Sequence, residues 1–133
     1  MPDSSISDNQ LLKELLKLIK NEEEFSEVIE NEIISYFESR GEKAAKVLKE
    51  KKLHKLILDT DTSIWEVEGK SKNYTIIEDN FCECTDFQIR VLNRGERLFC
   101  YHLLAKIIGE KLKIYDTREL TDEEYNEFLE SKI

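Results

Sequence analysis

The sequence predicts an α+β fold: a helical N-terminal half, then a short antiparallel meander and further helices pinned by one metal site. Three observations predict it. Apolar residues recur at helical spacing through residues 1–52, β-branched alternation takes over from Leu53, and all three cysteines fall between residues 82 and 100. A chain of 133 residues is the size of one domain. The expected division is a helical region, 1–52, and a metal-binding region with a C-terminal helix, 53–133, together forming one unit.

The elements follow in order. ISDNQLLKELLKLIK offers Ser7 as an N-cap with Gln10 three residues on, and Ile6 and Leu11 are spaced for a hydrophobic staple. Leu11, Leu12, Leu15, Leu16 and Ile19 then share one face. Asn21 is placed to cap a second helix, whose opening Glu22, Glu23 and Glu24 suit the positive end of its dipole. Phe25, Val28, Ile29, Ile33, Tyr36 and Phe37 form its apolar stripe, and Gly41 is placed to end it. EKAAKVLKEKK, with Ala44, Ala45, Val47 and Leu48, reads as a third helix. HKLILDT, SIWEVEG and NYTIIED alternate or are β-branched, with polar turns at Gly69 and Asn73, and read as three strands. The third leads into FCEC. Thr85 and Gln88 are expected to cap a short helix, DFQIRVLN, ended by Gly95. LLAKIIGEKL is a stronger helix, and Leu120-Thr121-x-x-Glu124-Tyr125 gives the last one a capping box and a staple. No internal repeat is visible.

Composition limits the function. Apolar residues at 40% suffice for a modest core, while the net charge of −9 opposes nucleic-acid binding over the whole surface. The acidic runs NEEEFSEVIENE and DTRELTDEEYNEFLE read as solvated helix faces. No apolar stretch is long enough to span a bilayer, and the polar start MPDSSISDNQ does not read as a secretory signal. The glycosylation-like NYT at Asn73 is then a chance match. An odd cysteine count fits a reducing interior, so the expected location is the cytoplasm, or the nucleus in a eukaryote.

Cys82, Cys84, Cys100 and His102 form C-x-C-x15-C-x-H. Thiolate and imidazole are the ligands that zinc prefers, in a tetrahedron with Zn–S bonds near about 2.3 Å. On a strand or its turn, residues two apart point the same way, so each pair can supply one edge of the tetrahedron. For the second pair this requires Cys100 just before, or within, the first turn of the helix that follows. Four protein ligands close the coordination sphere, which makes the expected zinc structural rather than catalytic. Such sites bind zinc with roughly 10–16 kcal/mol apparent free energy, more than a short meander gains by burial alone. Plain alternatives are three buried cysteines without a metal, or a redox or nucleophilic Cys100–His102 pair; the latter lacks an orienting carboxylate and a C-x-x-C motif. Iron stays open on ligand type alone. His54, the other histidine, is assigned no special duty.

The pattern resembles the SWIM zinc finger in its order of meander, C-x-C, short helix and C-x-H opening a helix. Within that family the chain is similar to the SWIM subunit of Shu-type recombination-mediator complexes, whose motif extends to C-x-H-x-x-A; here it reads Cys100-Tyr-His102-Leu-Leu-Ala105. The likeness covers roughly residues 55–115. Ala105, three residues after His102, shares its helix face and is expected to support the metal helix with a small side chain. The resemblance implies a non-enzymatic adaptor that binds a RecA-fold recombinase paralogue and promotes recombinase filament assembly on single-stranded DNA in homologous recombination. Self-association is left open. An alternative is direct DNA binding by a strip made of Arg90, Arg94, Arg97 and Lys106, with Lys111 and Lys113 following, although ion pairs with the many carboxylates would also account for these cations. Nothing in the chain reads as a phosphate loop or a catalytic carboxylate pair, so no enzyme is expected.

Overall fold

The computed structural model describes residues 4–19, 25–58 and 62–131. Helix α1 runs over Ser4–Ile19, so Ser7 lies inside it and not at its N-terminus. Asn21 and the glutamates after it lie outside the described residues. Helix α2 spans Glu27–Lys49 and is capped by Ser26, whose hydroxyl oxygen accepts from the Ile29 N–H at 3.3 Å. Its buried stripe is Ile29, Ile33 and Phe37; Val28, expected there, is 67% exposed.

The second and third predicted helices are two arms of α2. Glu38 leaves the helical region (φ 55°, ψ −127°) and turns the chain back on itself. Lys49 thereby reaches Glu30 at 3.5 Å, whereas an unbroken helix would hold them about 28 Å apart. A Cβ on Gly41 would stand 2.3 Å from the Ile33 carbonyl oxygen. Only glycine lets the second arm start that close to the first. The break is therefore at Glu38, and Gly41 opens the returning arm instead of ending the outgoing one.

β1 (Leu53–Ile57), β2 (Ser63–Glu68) and β3 (Asn73–Ile77) form the predicted antiparallel meander, in register Leu53 opposite Val67 and Trp65 opposite Ile76. Strand β4 (Phe81–Cys82) extends it antiparallel to β3. The sheet as a whole is mixed, because β5 (Asp116–Glu119) pairs parallel to β1, giving the order β4-β3-β2-β1-β5. No residue of β5 is buried, so it carries no apolar alternation to announce it.

Leu53, Trp65, Val67 and Ile76 alternate onto one face of the sheet, where they join Leu15, Ile33, Leu48, Leu104 and Ile108 in a single hydrophobic cluster. Helix α3 (Tyr101–Leu112) is the centre of that cluster. A Cβ on its Gly109 would meet Leu53 Cδ2 at 2.5 Å and Leu48 Cδ2 at 2.8 Å, which measures how closely α3 lies on β1 and α2. Helix α4 (Asp122–Ser131) opens with the predicted capping box: the Glu124 N–H donates to Thr121 Oγ1 and the Thr121 N–H to a Glu124 carboxylate oxygen, both at 3.1 Å. Among the described residues no helix is long and apolar enough to cross a membrane.

His54 has a duty after all. It stands on β1 between two carboxylates, with Nδ1 facing Asp116 of β5 and Nε2 facing Glu68 of β2 at 2.8 Å. Burial alone would lower its pKa, but the hydrogen bonds to Asp116 and Glu68 outweigh it and leave the pKa above the ordinary 6.5. Because the folded value is the raised one, this stabilisation is complete below the unfolded pKa and is lost as pH rises through the folded pKa. The attachment of β5 should accordingly weaken on going from mildly acidic to alkaline pH. Hydrogen exchange of the β5 amides measured across that range should show the change in the native chain and lose it in His54→Gln.

Candidate metal centre

Each ligand pair is delivered by a change of secondary structure. Cys82 ends β4, and Cys84 stands two residues on, at the start of a helical turn whose π-helical part spans Phe87–Asn93. The cap of that turn is not Thr85 but the Cys84 sulfur, which accepts from the Phe87 N–H at 3.3 Å. Cys100 is the N-cap of α3, its sulfur accepting from the Leu103 N–H at 3.5 Å, and His102 lies in the first turn. Both helix starts thus aim an amide at a sulfur, an arrangement that stabilises thiolate.

The four ligand atoms lie within 4.8 Å of one another, and all four residues are buried. A tetrahedron with zinc–sulfur bonds of 2.3 Å has edges of about 3.8 Å, so small side-chain adjustments would close the cluster on one ion. Two further observations fit a metal. The cysteines are free thiols despite their proximity. In addition, His102 Nδ1 is buried without a hydrogen-bond partner among the described residues, a deficit that coordination through Nδ1 itself would relieve.

Proton sharing among the sulfurs points the same way. Hydrogen bonds from Cys100 and then Cys82 hold the Cys84 thiol far below its ordinary value. Those to Cys100 and Cys84 push Cys82 far up. For Cys100 the lowering bond to Cys82 is outweighed by Cys84 and by burial, and its pKa is pushed up to about 12. A divalent ion among the sulfurs would favour the thiolate form of all three. The Cys3His cluster is built to hold one zinc ion.

Other residues position the site, and sequence reasoning missed them. Tyr74 of β3 and Tyr101 pack on the His102 ring, with centroids 4.7 and 4.0 Å away. Asp8 of α1 and Arg40 of α2 make a two-point ion pair at 2.6 and 2.9 Å. Arg40 also donates to the Phe99 carbonyl at 3.0 Å, and the Leu98 N–H donates to Asp8 at 3.1 Å, which fixes the chain immediately before Cys100. The guanidinium sits 5.0 Å from the centroids of both the Phe37 and Phe99 rings. Tyr101 occupies the variable position of C-x-H and Tyr74 the middle of NYT, where nothing local marks either. Asp8 and Arg40 are paired only by the tertiary fold.

Ala105 is fully buried on α3, one turn beyond His102. The proposed basic strip has a different fate. Arg90 and Arg97 both pair with Asp86, at 3.4 and 3.8 Å, and Arg94 pairs with Glu96 at 3.5 Å. Lys106 is buried, bonded to Asp79 at 2.6 Å and Glu110 at 2.8 Å, and so is not an exposed cation. Phe99 is buried against Phe37, while Phe81 is exposed.

Two outcomes are expected. The purified chain should carry one zinc per molecule, and Cys84→Ser should release it, removing much of an apparent binding free energy of roughly 10–16 kcal/mol; metal analysis and thermal unfolding of both proteins check this. Asp8→Ala would leave Arg40 buried without its counter-charge, with an expected loss of about 3–5 kcal/mol in urea unfolding. A loss below about 1 kcal/mol would mean that the pair does not join the N-terminal helices to the metal site.

No family model matches the chain, and neither does any solved structure. Among curated proteins it is similar to "Zinc finger SWIM domain-containing protein 7" of Danio rerio, with 31% identity over 62 residues. The match covers 46% of this chain and 44% of that protein, so less than half of the relative's length is represented. The buried Cys3His cluster and this distant likeness together support a SWIM-type zinc site formed by Cys82, Cys84, Cys100 and His102.

Proposed function

We propose that the chain is a zinc-pinned adaptor that binds a RecA-fold recombinase paralogue and through it promotes filament assembly on single-stranded DNA. The observation that carries the adaptor role is the distribution of exposed apolar side chains. Ile77 and Phe81, cross-strand neighbours on β3 and β4, are 46% and 37% exposed. Ile89, Leu92 and Leu98, between the two ligand pairs, are 39%, 60% and 43% exposed. Five large apolar residues are thus exposed on segments that the metal would tie together, side chains of the kind a protein partner covers. Phe81 is braced edge-on by the buried Phe87, with centroids 5.6 Å apart, and so offers a rigid aromatic anchor.

Nothing in this role asks the chain for chemistry. The metal would hold the β3–β4 corner, the π-helical turn and the start of α3 in one arrangement, and a preorganised surface loses less freedom on binding. The choice of a recombinase paralogue rests on the C-x-H-x-x-A extension ending at Ala105 and on the similarity to a SWIM-domain protein. Direct DNA binding is the weaker reading, since Arg90, Arg94, Arg97 and Lys106 all have carboxylate partners.

Co-expression with each RecA-fold paralogue of the same genome should give one co-eluting complex. Leu92→Asp together with Phe81→Ser should weaken it by 2 kcal/mol or more, about thirtyfold, while zinc content stays stoichiometric. A chain that co-elutes with none of the paralogues, or a complex indifferent to both substitutions, would count decisively against the role.

A further inference from the structure

A second surface lies at the other end of α3, about 18 Å along the helix from Cys100. The ends of α2 and α3 and the starts of β1 and β5 enclose an open cleft of about 670 Å³. Its walls include Leu48, Leu53, Leu112 and Ile114, and its rim carries Lys49, Lys51 and Lys113. Among the described residues the only acid in the lining is Asp116, whose carboxylate is taken by His54. In a chain of net charge −9 this is a local reversal of sign.

The backbone at two of these lysines is unusual. Lys51 and Lys113 stand in the turns that end α2 and α3, with φ of 57° and 61°. Glycine fills such left-handed positions with least strain, and a long side chain there is disfavoured. Neither lysine has a carboxylate within ion-pair distance among the described residues, unlike Lys49, which reaches Glu30. Two strained positions therefore hold unpaired cations over an apolar floor.

We infer that this cleft docks an acidic segment of a partner protein, which inserts a bulky apolar side chain between the ends of α2 and α3 while its carboxylates meet Lys51 and Lys113. The separated cations suit a run of carboxylates along a chain better than a single acid head. A nucleic-acid strand fits less well: four of the six apolar lining residues are aliphatic, and of the two rings, Phe25 and Tyr115, the second is engaged edge-on by Trp65, with centroids 4.7 Å apart. This surface is separate from the apolar one around the metal, so it stands or falls independently of the adaptor role.

The test uses the full zinc-loaded chain and a short fluorescent peptide in which glutamates flank one leucine and one phenylalanine. Saturable binding is expected, with affinity falling as salt rises. Lys51→Gly with Lys113→Gly removes both charges and keeps the backbone conformation, so it should weaken binding roughly tenfold with folding unimpaired. The double arginine variant should bind like the native chain. A peptide with lysine in place of glutamate should not bind. Absence of binding by the native chain, equal binding by the glycine variant, or preference for an oligothymidine would overturn the proposal. So would a native chain whose sedimentation shows self-association that the glycine variant abolishes, since the occupant would then be a second copy.

Discussion

Four ligand atoms held within 4.8 Å of one another are the constraint on which the rest of the molecule turns. The chain between the two ligand pairs has little regular structure of its own: one π-helical turn, then a run to Cys100 without helix or strand. Backbone pairing cannot decide the course of such a segment, and burial of Phe87 and Phe99 fixes only two points along it. A metal sets both ends, since it fixes the last residue of β4 against the first turn of α3. The position of α3 then sets the core, because this helix is packed closely enough on β1 and α2 that Gly109 has no room for a Cβ.

The helical N-terminal half is tied to this centre by a polar contact as well as by apolar packing. Asp8 and Arg40 are nearly buried and together satisfy Leu98 and Phe99, the two residues that lead into Cys100. A buried ion pair is weak evidence for net stability, but it is demanding about geometry, because either partner alone would be a stranded charge. Lys106 makes the same kind of demand on the opposite flank. Burial alone would lower its pKa, yet the bonds to Asp79 and Glu110 outweigh this and raise it, so α3 is held to the β3–β4 turn by a charged lysine lying 5.0 Å from the centroid of Trp65. Both contacts specify where α3 lies.

What the sequence revealed depended on whether the signal was local. The cysteine and histidine spacing, the three-strand meander, the helix that opens at the second ligand pair and the capping box at Thr121 all rest on residues within a few positions of one another, and they were legible. The break in α2 was legible only approximately: Gly41 marks a place where two backbones meet, and the turn that creates the meeting falls three residues earlier, at a glutamate with no propensity for it. Strand β5 was hidden because an exposed edge strand has no apolar rhythm. The particular carboxylates that partner the candidate DNA-contacting cations were hidden for a related reason. A count of arginines between ligand pairs says nothing about whether Asp86 and Glu96 reach them, and in a chain this acidic they do.

Helix α3 carries two surfaces of opposite character. At its N-terminus the partial positive charge of the helix faces sulfur ligands and an apolar surround; at its C-terminus, where the partial charge is negative, the neighbouring side chains are lysines. The dipole is thus complemented at both ends, but complementing a dipole does not require the strained backbone found at Lys51 and Lys113, since a cation one turn earlier would serve as well. The left-handed backbone itself ends the two helices, and lysine in place of glycine at both ends fits the second surface proposed for them. Two partners, or two parts of one partner, could then be held about 18 Å apart by a helix too closely packed to flex. A rod of that kind transmits position and not conformational change. Binding energies at its two ends should therefore add, with little coupling between them, so that a partner engaging both gains from effective concentration.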